Sequence, residues 1–175
     1  MAKNRKSADG SRPRTYALAG AVLDVPPAPG GLYLVATPIG NLRDISLRAL
    51  ETLAGADVIA CEDSRVTRKL TEHYGISTPL TPYHEHNAAE ARPKLLARMG
   101  EGQAVALVSD AGTPLISDPG YKLVRAASLA GHAVIAVPGA SAVLTALGVA
   151  GLPTDRFFFE GFLPPKQVAR QKRIA

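Results

Sequence analysis

The sequence predicts an α/β domain built on a mostly parallel, five-stranded sheet flanked by helices, and three observations support it. Short apolar runs recur at Leu32–Ala36, Asp57–Cys61, Leu80–His84, Ala104–Val108 and Ala133–Val137. Apolar runs of this length suit strands buried on both faces. The segments between the runs carry apolar residues at helical spacing. Strand and helix therefore alternate along the chain, which is the pattern of βαβ units with right-handed crossovers.

Each element has a local signal. Ser46 is placed to cap a helix presenting Leu47, Leu50 and Leu53, with Gly55 as its stop. Ser64 is the expected cap of a second helix, with Val66, Leu70 and Tyr74 on one face and Gly75 at its end. A third helix runs through Ala91, Leu95, Leu96 and Met99, with Pro93 near its start, where proline is tolerated. A fourth carries Leu123, Val124 and Ala127 up to Gly131, and a fifth carries Val143, Leu144 and Leu147.

Flanking these elements, residues 1–30 read as a disordered basic and Pro-rich tail, with Pro26-Pro27-Ala28-Pro29 as its linker. The sheet domain is expected over residues 31–153. Arg156–Phe162, with four phenylalanines in six residues, reads as the first strand of a second, truncated α/β domain over 154–175.

Composition narrows the function. At 175 residues and 46% apolar, the chain can bury a core of ordinary size. Cys61 is the one cysteine and lies in a strand-like run, so core filler is its expected role and a reducing, cytoplasmic compartment the expected setting. The net charge of +5 belongs to the ends: Lys3, Arg5, Lys6, Arg12 and Arg14 at one, Lys166, Arg170, Lys172 and Arg173 at the other. Such ends suit phosphate attraction. The start of the chain lacks the apolar core of a secretion signal. Residues 133–154 are uncharged, but Pro138-Gly139 interrupts them, so strand–turn–helix is expected there and a membrane helix is not.

The most informative segment is Ser109-Asp110-Ala111-Gly112-Thr113-Pro114-Leu115-Ile116-Ser117-Asp118-Pro119-Gly120, at the C-terminal end of an expected central strand. Ligands of open α/β sheets bind at that edge. A phosphate cradle uses glycines, backbone N–H groups and often a lysine. Two aspartates would repel phosphate and suit hydroxyls, an ammonium or a sulfonium, which points to S-adenosylmethionine. Backbone carbonyls of Asp110–Thr113 suit the sulfonium, while the Asp110 carboxylate serves an ammonium or fixes the loop. Pro138-Gly139-Ala140, with Ser141, ends the next strand and permits close approach of an adenosine. Thr37-Pro38-Ile39-Gly40-Asn41 occupies the place of a dinucleotide phosphate loop but lacks its G-x-G-x-x-G glycines.

These segments, together with Leu42-Arg43-Asp44-Ile45, Glu62-Asp63-Ser64-Arg65 and Tyr83-His84-Glu85-His86-Asn87, occur in an order that resembles the tetrapyrrole methylase superfamily, and within it the branch that methylates ribosomal RNA. The resemblance spans about residues 31–168. It implies S-adenosylmethionine held between two α/β domains, 2′-O-methylation of a cytidine ribose in the decoding region of 16S rRNA in the small ribosomal subunit, and a homodimer. Cofactor contacts are expected from Thr37, Pro38, Gly40, Asn41, Ser109, Asp110, Ala111, Gly112, Thr113, Ser117, Pro138, Gly139 and Ala140. A ribose hydroxyl is a poor nucleophile at neutral pH, so Glu62, Asp63, Arg65 and His84 are the catalytic candidates. Arg65, Lys69, His86, Lys166, Arg170 and Lys172 are the candidates for holding RNA. His84-x-His86 lacks a nearby third ligand, so no metal is expected. Two alternatives remain open: methylation of a corrin precursor, and a nonenzymatic RNA- or nucleotide-binding module.

Overall fold

The computed structural model describes residues 12–116 and 120–174. Its central sheet has five strands: β3 (Gly31–Val35), β4 (Val58–Cys61), β5 (Leu80–Pro82), β6 (Ala104–Val108) and β7 (Val134–Val137). All are parallel, in the order β5-β4-β6-β3-β7. Leu32 lies opposite Val105 on one side and Val134 on the other, and Ile59 lies between Ala106 and Leu80. Between the strands run α1 (Leu47–Gly55), α2 (Ser64–His73), α3 (Ala88–Gly100) and α4 (Tyr121–Leu129).

Strand parity sorts the core into two layers, because successive side chains point to opposite faces. Tyr33, Val35, Ile59, Cys61, Ala106 and Val108 pack with Leu50 and Leu53 of α1 and Leu70 of α2. Leu32, Val58, Ala60, Val105 and Leu107 pack with Leu95 and Met99 of α3 and Leu123 and Ala127 of α4. The pairs α1/α2 and α3/α4 therefore cover opposite faces.

The strand order fixes where a ligand can sit. The chain leaves β3 through α1 toward β4, and leaves β6 through α4 in the opposite direction toward β7. Neighbours β3 and β6 thus form a topological switch point, and a crevice opens beyond their C-terminal ends.

Several local expectations are corrected. Asp63, not Ser64, caps α2: its backbone is extended and its carboxylate accepts the Arg65 N–H at 2.8 Å. The buried face of α2 is Thr67, Leu70 and Thr71, leaving Val66 37% exposed. Strand β5 stops at Pro82, so His84 and His86 lie in the turn before α3. Pro93 sits inside α3, past the first turn.

Residues 12–30 depart most from the sequence expectation; residues 1–11 of the expected tail lie outside the described residues. β1 (Thr15–Leu18) and β2 (Ala21–Asp24) form an antiparallel hairpin. Ala19 and Gly20 at its tip both take positive φ, 50° and 83°, as a primed two-residue turn requires. Tyr16 is buried in the α1/α2 layer, and the Ala17 N–H reaches the Tyr74 carbonyl at 2.7 Å.

Arginines before the hairpin hold the C-terminal end of α1. Arg12 donates to the carbonyls of Ala54 (3.3 Å) and Ala56. Arg14 donates to Gly55 and Ala56 and pairs with Asp57 at 2.6 Å. These carbonyls are those a helix leaves unsatisfied, at the end its dipole makes negative. Asp57 in turn accepts the Ala104 N–H at 2.8 Å, tying the clamp to β6. Burial disfavours its charge, but the Arg14 hydrogen bond, the Ala104 N–H and both guanidinium charges outweigh this and hold its pKa below the usual value.

The described residues divide into two compact units, one up to residue 141 and one from residue 142 onward. The second contains α5 (Ala142–Val149) and α6 (Gln167–Ile174), with Arg173 paired to Glu160. Arg156–Phe162 is irregular, and Phe158 and Phe162 are more than 80% exposed. A strand's hydrogen bonds need a neighbouring strand, and among the described residues nothing pairs with this segment.

Candidate methyl-donor site

The crevice at the switch point is closed by hydrogen bonds between loops. Thr37, after β3, and Gly112, after β6, exchange both backbone bonds (2.9 and 3.0 Å), and the Thr37 hydroxyl donates to the Ser109 carbonyl at 3.2 Å. The loop after β7 is tied to both: Thr113 Oγ1 donates to the Ala140 carbonyl at 3.5 Å, and Ser46, which also caps α1, donates to the Pro138 carbonyl at 3.4 Å. Gly139 is required by close approach, because a Cβ there would stand 3.0 Å from Ala36 Cβ. On the far side, Asp110 Oδ1 accepts the Asp63 N–H at 3.0 Å, joining the β4 and β6 loops.

A cavity of about 310 Å³ opens on the β4 side of this seam. Thr37, Pro38, Gly40 and Leu42 line it from the β3 loop, Ser109 and Asp110 from the β6 loop. The third wall is α2, through Val66, Thr67, Lys69 and Leu70. Sequence reasoning missed Leu42, in the turn after the β3 loop, and Val66, Thr67 and Leu70 of α2, where amphipathic spacing alone cannot separate a residue facing the sheet from one facing a crevice at its edge.

The expected cofactor residues fall into two groups. Thr37, Pro38, Gly40, Ser109 and Asp110 line the cavity. Gly112, Thr113, Pro138, Gly139 and Ala140 belong to the seam and its β7 side. The Ala111 carbonyl accepts the Ser109 hydroxyl at 3.3 Å. Asn41 has a local task, accepting the Arg43 N–H at 3.1 Å to cap a 3₁₀ turn over Leu42–Asp44. Ser117 lies outside the described residues.

The catalytic candidates separate as clearly. Asp63 is chelated by Arg65 through Nη2 (2.6 Å) and Nε (3.1 Å). The Arg65 guanidinium, aided by the Arg65 backbone N–H, holds the Asp63 carboxyl down to about 2. A group that acidic is a weak proton acceptor near neutrality. An Arg65→Ala variant should return the Asp63 pKa toward the ordinary ~3.9, read from the carboxyl chemical shift in an NMR titration; an unmoved value would mean that the guanidinium does not set it. Glu62 is half-buried at the end of β4. His84 has a buried Nδ1 with no hydrogen-bond partner and stands 6.0 Å, ring to ring, from His86. Neither histidine lines the cavity, and among the described residues no cluster of three metal-ligating side chains occurs.

Among the RNA candidates, Arg65 and Lys69 project from the first two turns of α2, and both are exposed. Lys166, Arg170 and Lys172 are exposed in the second unit, Lys166 just ahead of α6 and the others on it. No helix among the described residues is long and apolar enough to cross a membrane.

This switch-point architecture, with acceptor-rich loops in place of a glycine phosphate cradle, has known counterparts. The sequence profile of the Tetrapyrrole (Corrin/Porphyrin) Methylases matches residues 31–174. The chain belongs to this family.

Within the tetrapyrrole methylases, the chain is 61% identical over 148 residues to a protein named Ribosomal RNA small subunit methyltransferase I from Mesorhizobium japonicum, covering 85% of this chain and 50% of that one. Proteins of the same name from Pseudomonas aeruginosa and Escherichia coli O157:H7 are 54% and 56% identical; each match covers 83% of this chain and 51% of the relative. The chain thus spans about half the length of the curated relatives it matches. Among solved tetrapyrrole methylases, the uroporphyrin-III-C-methyltransferase of Thermus thermophilus superposes with a TM-score of 0.54 at 28% identity, over 71% of this chain and 53% of that one. A cobalt precorrin-4 methyltransferase shares the fold at 23% identity and a TM-score of 0.55, over 68% of this chain and 49% of that one.

Proposed function

We propose that this chain carries the donor-binding part of an S-adenosylmethionine-dependent methyltransferase acting on small-subunit ribosomal RNA, at the 2′-hydroxyl of a cytidine ribose in the decoding region. The observation that carries this reading is the family's switch-point crevice in a chain far more similar to proteins named for ribosomal RNA methylation than to the corrin and porphyrin enzymes. A homodimer and a cytoplasmic setting belong to the same reading.

The donor set fits the cofactor. Carbonyls and hydroxyls at Thr37, Ser109 and Ala111 line the seam, and among the described residues Lys69 is the one cation of the cavity wall. When bound, S-adenosylmethionine supplies a methyl group on a cationic sulfonium. Neutral carbonyls of Asp110–Thr113 would stabilise that charge less than a carboxylate, so the ground state would not be over-stabilised. Most of the remaining work is alignment of the acceptor oxygen. Thr37, bonded to both Ser109 and Gly112, keeps the two loops at one separation. With Asp63 held by Arg65, Glu62 and His84 are the candidates for proton acceptor in this reading.

The test is calorimetric titration of the chain with S-adenosylmethionine, with NADH as control, followed by binding to a 16S rRNA fragment over a range of salt. Heat with the first ligand alone supports the reading; heat with NADH alone defeats it. Arg170→Ala with Lys172→Ala should weaken RNA binding and flatten its salt slope by about two phosphate contacts. An unchanged slope would remove α6 from the RNA surface.

A further inference from the structure

The outer edge of the central sheet is formed by β5, whose one neighbour among the described residues is β4. A bare edge invites a further strand, but this one is blunted. Pro79 and Pro82 bracket it, and neither has an N–H to offer. The Pro82 carbonyl already accepts Asn87 Nδ2 at 3.0 Å. The edge is therefore poorly suited to peptide addition, and its remaining resource is charge. Helices α2 and α3 flank it from opposite faces of the sheet. Each carries three Lys or Arg residues and a single Glu, Glu72 on α2 and Glu90 on α3. A shallow cavity of about 260 Å³ lies between β5 and α3, with Thr81, Pro82, Lys94 and Arg98 in its lining.

Lys94 and Arg98 stand one turn apart on α3, and both are exposed. Side chains four residues apart on a helix are separated by about 5–6 Å at Cβ, close to the step between phosphates along one strand. Arg98 Nη1 donates to Gln103 Oε1 at 3.2 Å, a neutral partner that orients the guanidinium without cancelling its charge. Arg68 is the matching cation on α2, exposed and close to β4: burial pushes the Cys61 thiol up, and the Arg68 charge opposes it. Among the described residues none of these three cations forms an ion pair. We infer that the β5 edge, bracketed by Arg68 on one side and by Lys94 and Arg98 on the other, is a docking surface for the phosphodiester backbone of RNA. Backbone contacts of this kind set position and register rather than read sequence. Lys69, next to Arg68, also lines the crevice, so the surface continues to the donor site. The inference rests on the RNA-methylation reading and adds to it a face of the sheet domain outside the crevice.

The experiment is binding of a 16S rRNA fragment, followed by fluorescence anisotropy over a range of potassium chloride. The parent chain is compared with a variant combining Arg68→Ala, Lys94→Ala and Arg98→Ala, all at exposed positions where the fold should survive. Loss of three phosphate contacts should flatten the slope of log affinity against log salt by about two. Affinity near physiological salt should fall about tenfold, with S-adenosylmethionine affinity within twofold of the parent. Lys122→Ala with Arg125→Ala, exposed on α4, controls for general loss of charge and should leave the slope unchanged. An equal loss per charge in that control would overturn the surface. So would a triple variant with the parent's slope, and in that case the RNA reading would stand. A parent that binds no RNA at all would defeat that reading and this surface with it. A photo-crosslinker on Ala91→Cys, with Cys61 fully buried, reports what lies against the groove in small ribosomal subunits. Adducts with RNA support the surface; adducts with ribosomal protein alone would assign it to a protein partner and overturn the proposal.

Discussion

Replacing Gly112 with valine is expected to abolish measurable S-adenosylmethionine binding while the sheet remains folded. Gly112 is buried in the seam with φ of +80° and exchanges both backbone bonds with Thr37. Space is not the obstacle: a Cβ would meet Ile39 Cγ2 at 3.5 Å and the Ala140 carbonyl at 3.9 Å, both ordinary contacts. The obstacle is the left-handed backbone, which costs an L-residue about 1–2 kcal/mol and a β-branched one more. The loop relieves that strain by turning the 112 peptide, which breaks the pairing with Thr37 and moves the Asp110–Thr113 carbonyls. Calorimetry should show at least a hundredfold loss, with the melting midpoint lowered by about 2–8 °C. Gly112→Ala should lose less on both counts. Unchanged affinity in the valine variant would remove this loop from the donor site.

Removing both clamp arginines is expected to have the largest effect on stability. Arg12→Ala with Arg14→Ala deletes the donors to the last carbonyls of α1 and the partner of Asp57. Charged hydrogen bonds contribute about 1.5–3 kcal/mol each when buried, and these are half-buried, so a combined loss of about 2–4 kcal/mol is expected. The midpoint should then fall by roughly 10 °C. The effect has a pH signature. Asp57 has a depressed pKa when folded, so its contribution is present above the unfolded carboxylate value near ~3.9. It disappears as the pH falls through the folded value. The gap between variant and parent should be widest near neutrality and narrow in acid. A gap that stays constant down to the acid transition would show that Asp57 takes no part.

Much of the fold was legible because strand ends, small-residue loops and helix stops coincide. Ala104–Val108 followed by Ser109–Gly120 marks a central strand and the loop at its end; the structure keeps the strand, and Ser109 and Asp110 line a cavity beyond it. The hairpin was not legible for a physical reason. Thr15–Asp24 lacks the Asn-Gly or Asp-Gly signal of a tight turn, and Ala19 carries a positive φ that alanine rarely adopts. Counted as charges, Arg12 and Arg14 suggested a solvated tail; their role depends on carbonyls of α1 more than forty residues away in sequence. At the site, the small-residue loops and the adjacency of the β6 and β7 loops could be read from the sequence; the Thr37–Gly112 pairing could not. The helical wall of the cavity could not, since Val66 and Leu70 satisfy a core pattern equally well.

The order of the sheet also governs when the molecule can assemble. β3 is the first strand of the central sheet to be synthesised, yet both its neighbours, β6 and β7, come later than β4 and β5. At translation rates of about 5–20 residues per second, β3 waits roughly 5–20 s for its second partner to emerge from the ribosome. The hairpin, by contrast, closes between adjacent residues within microseconds. A nascent chain should therefore show an early local hairpin and a late, cooperative closure of the sheet. Until that closure, Leu32–Val35 is an apolar segment that chaperones would be expected to engage.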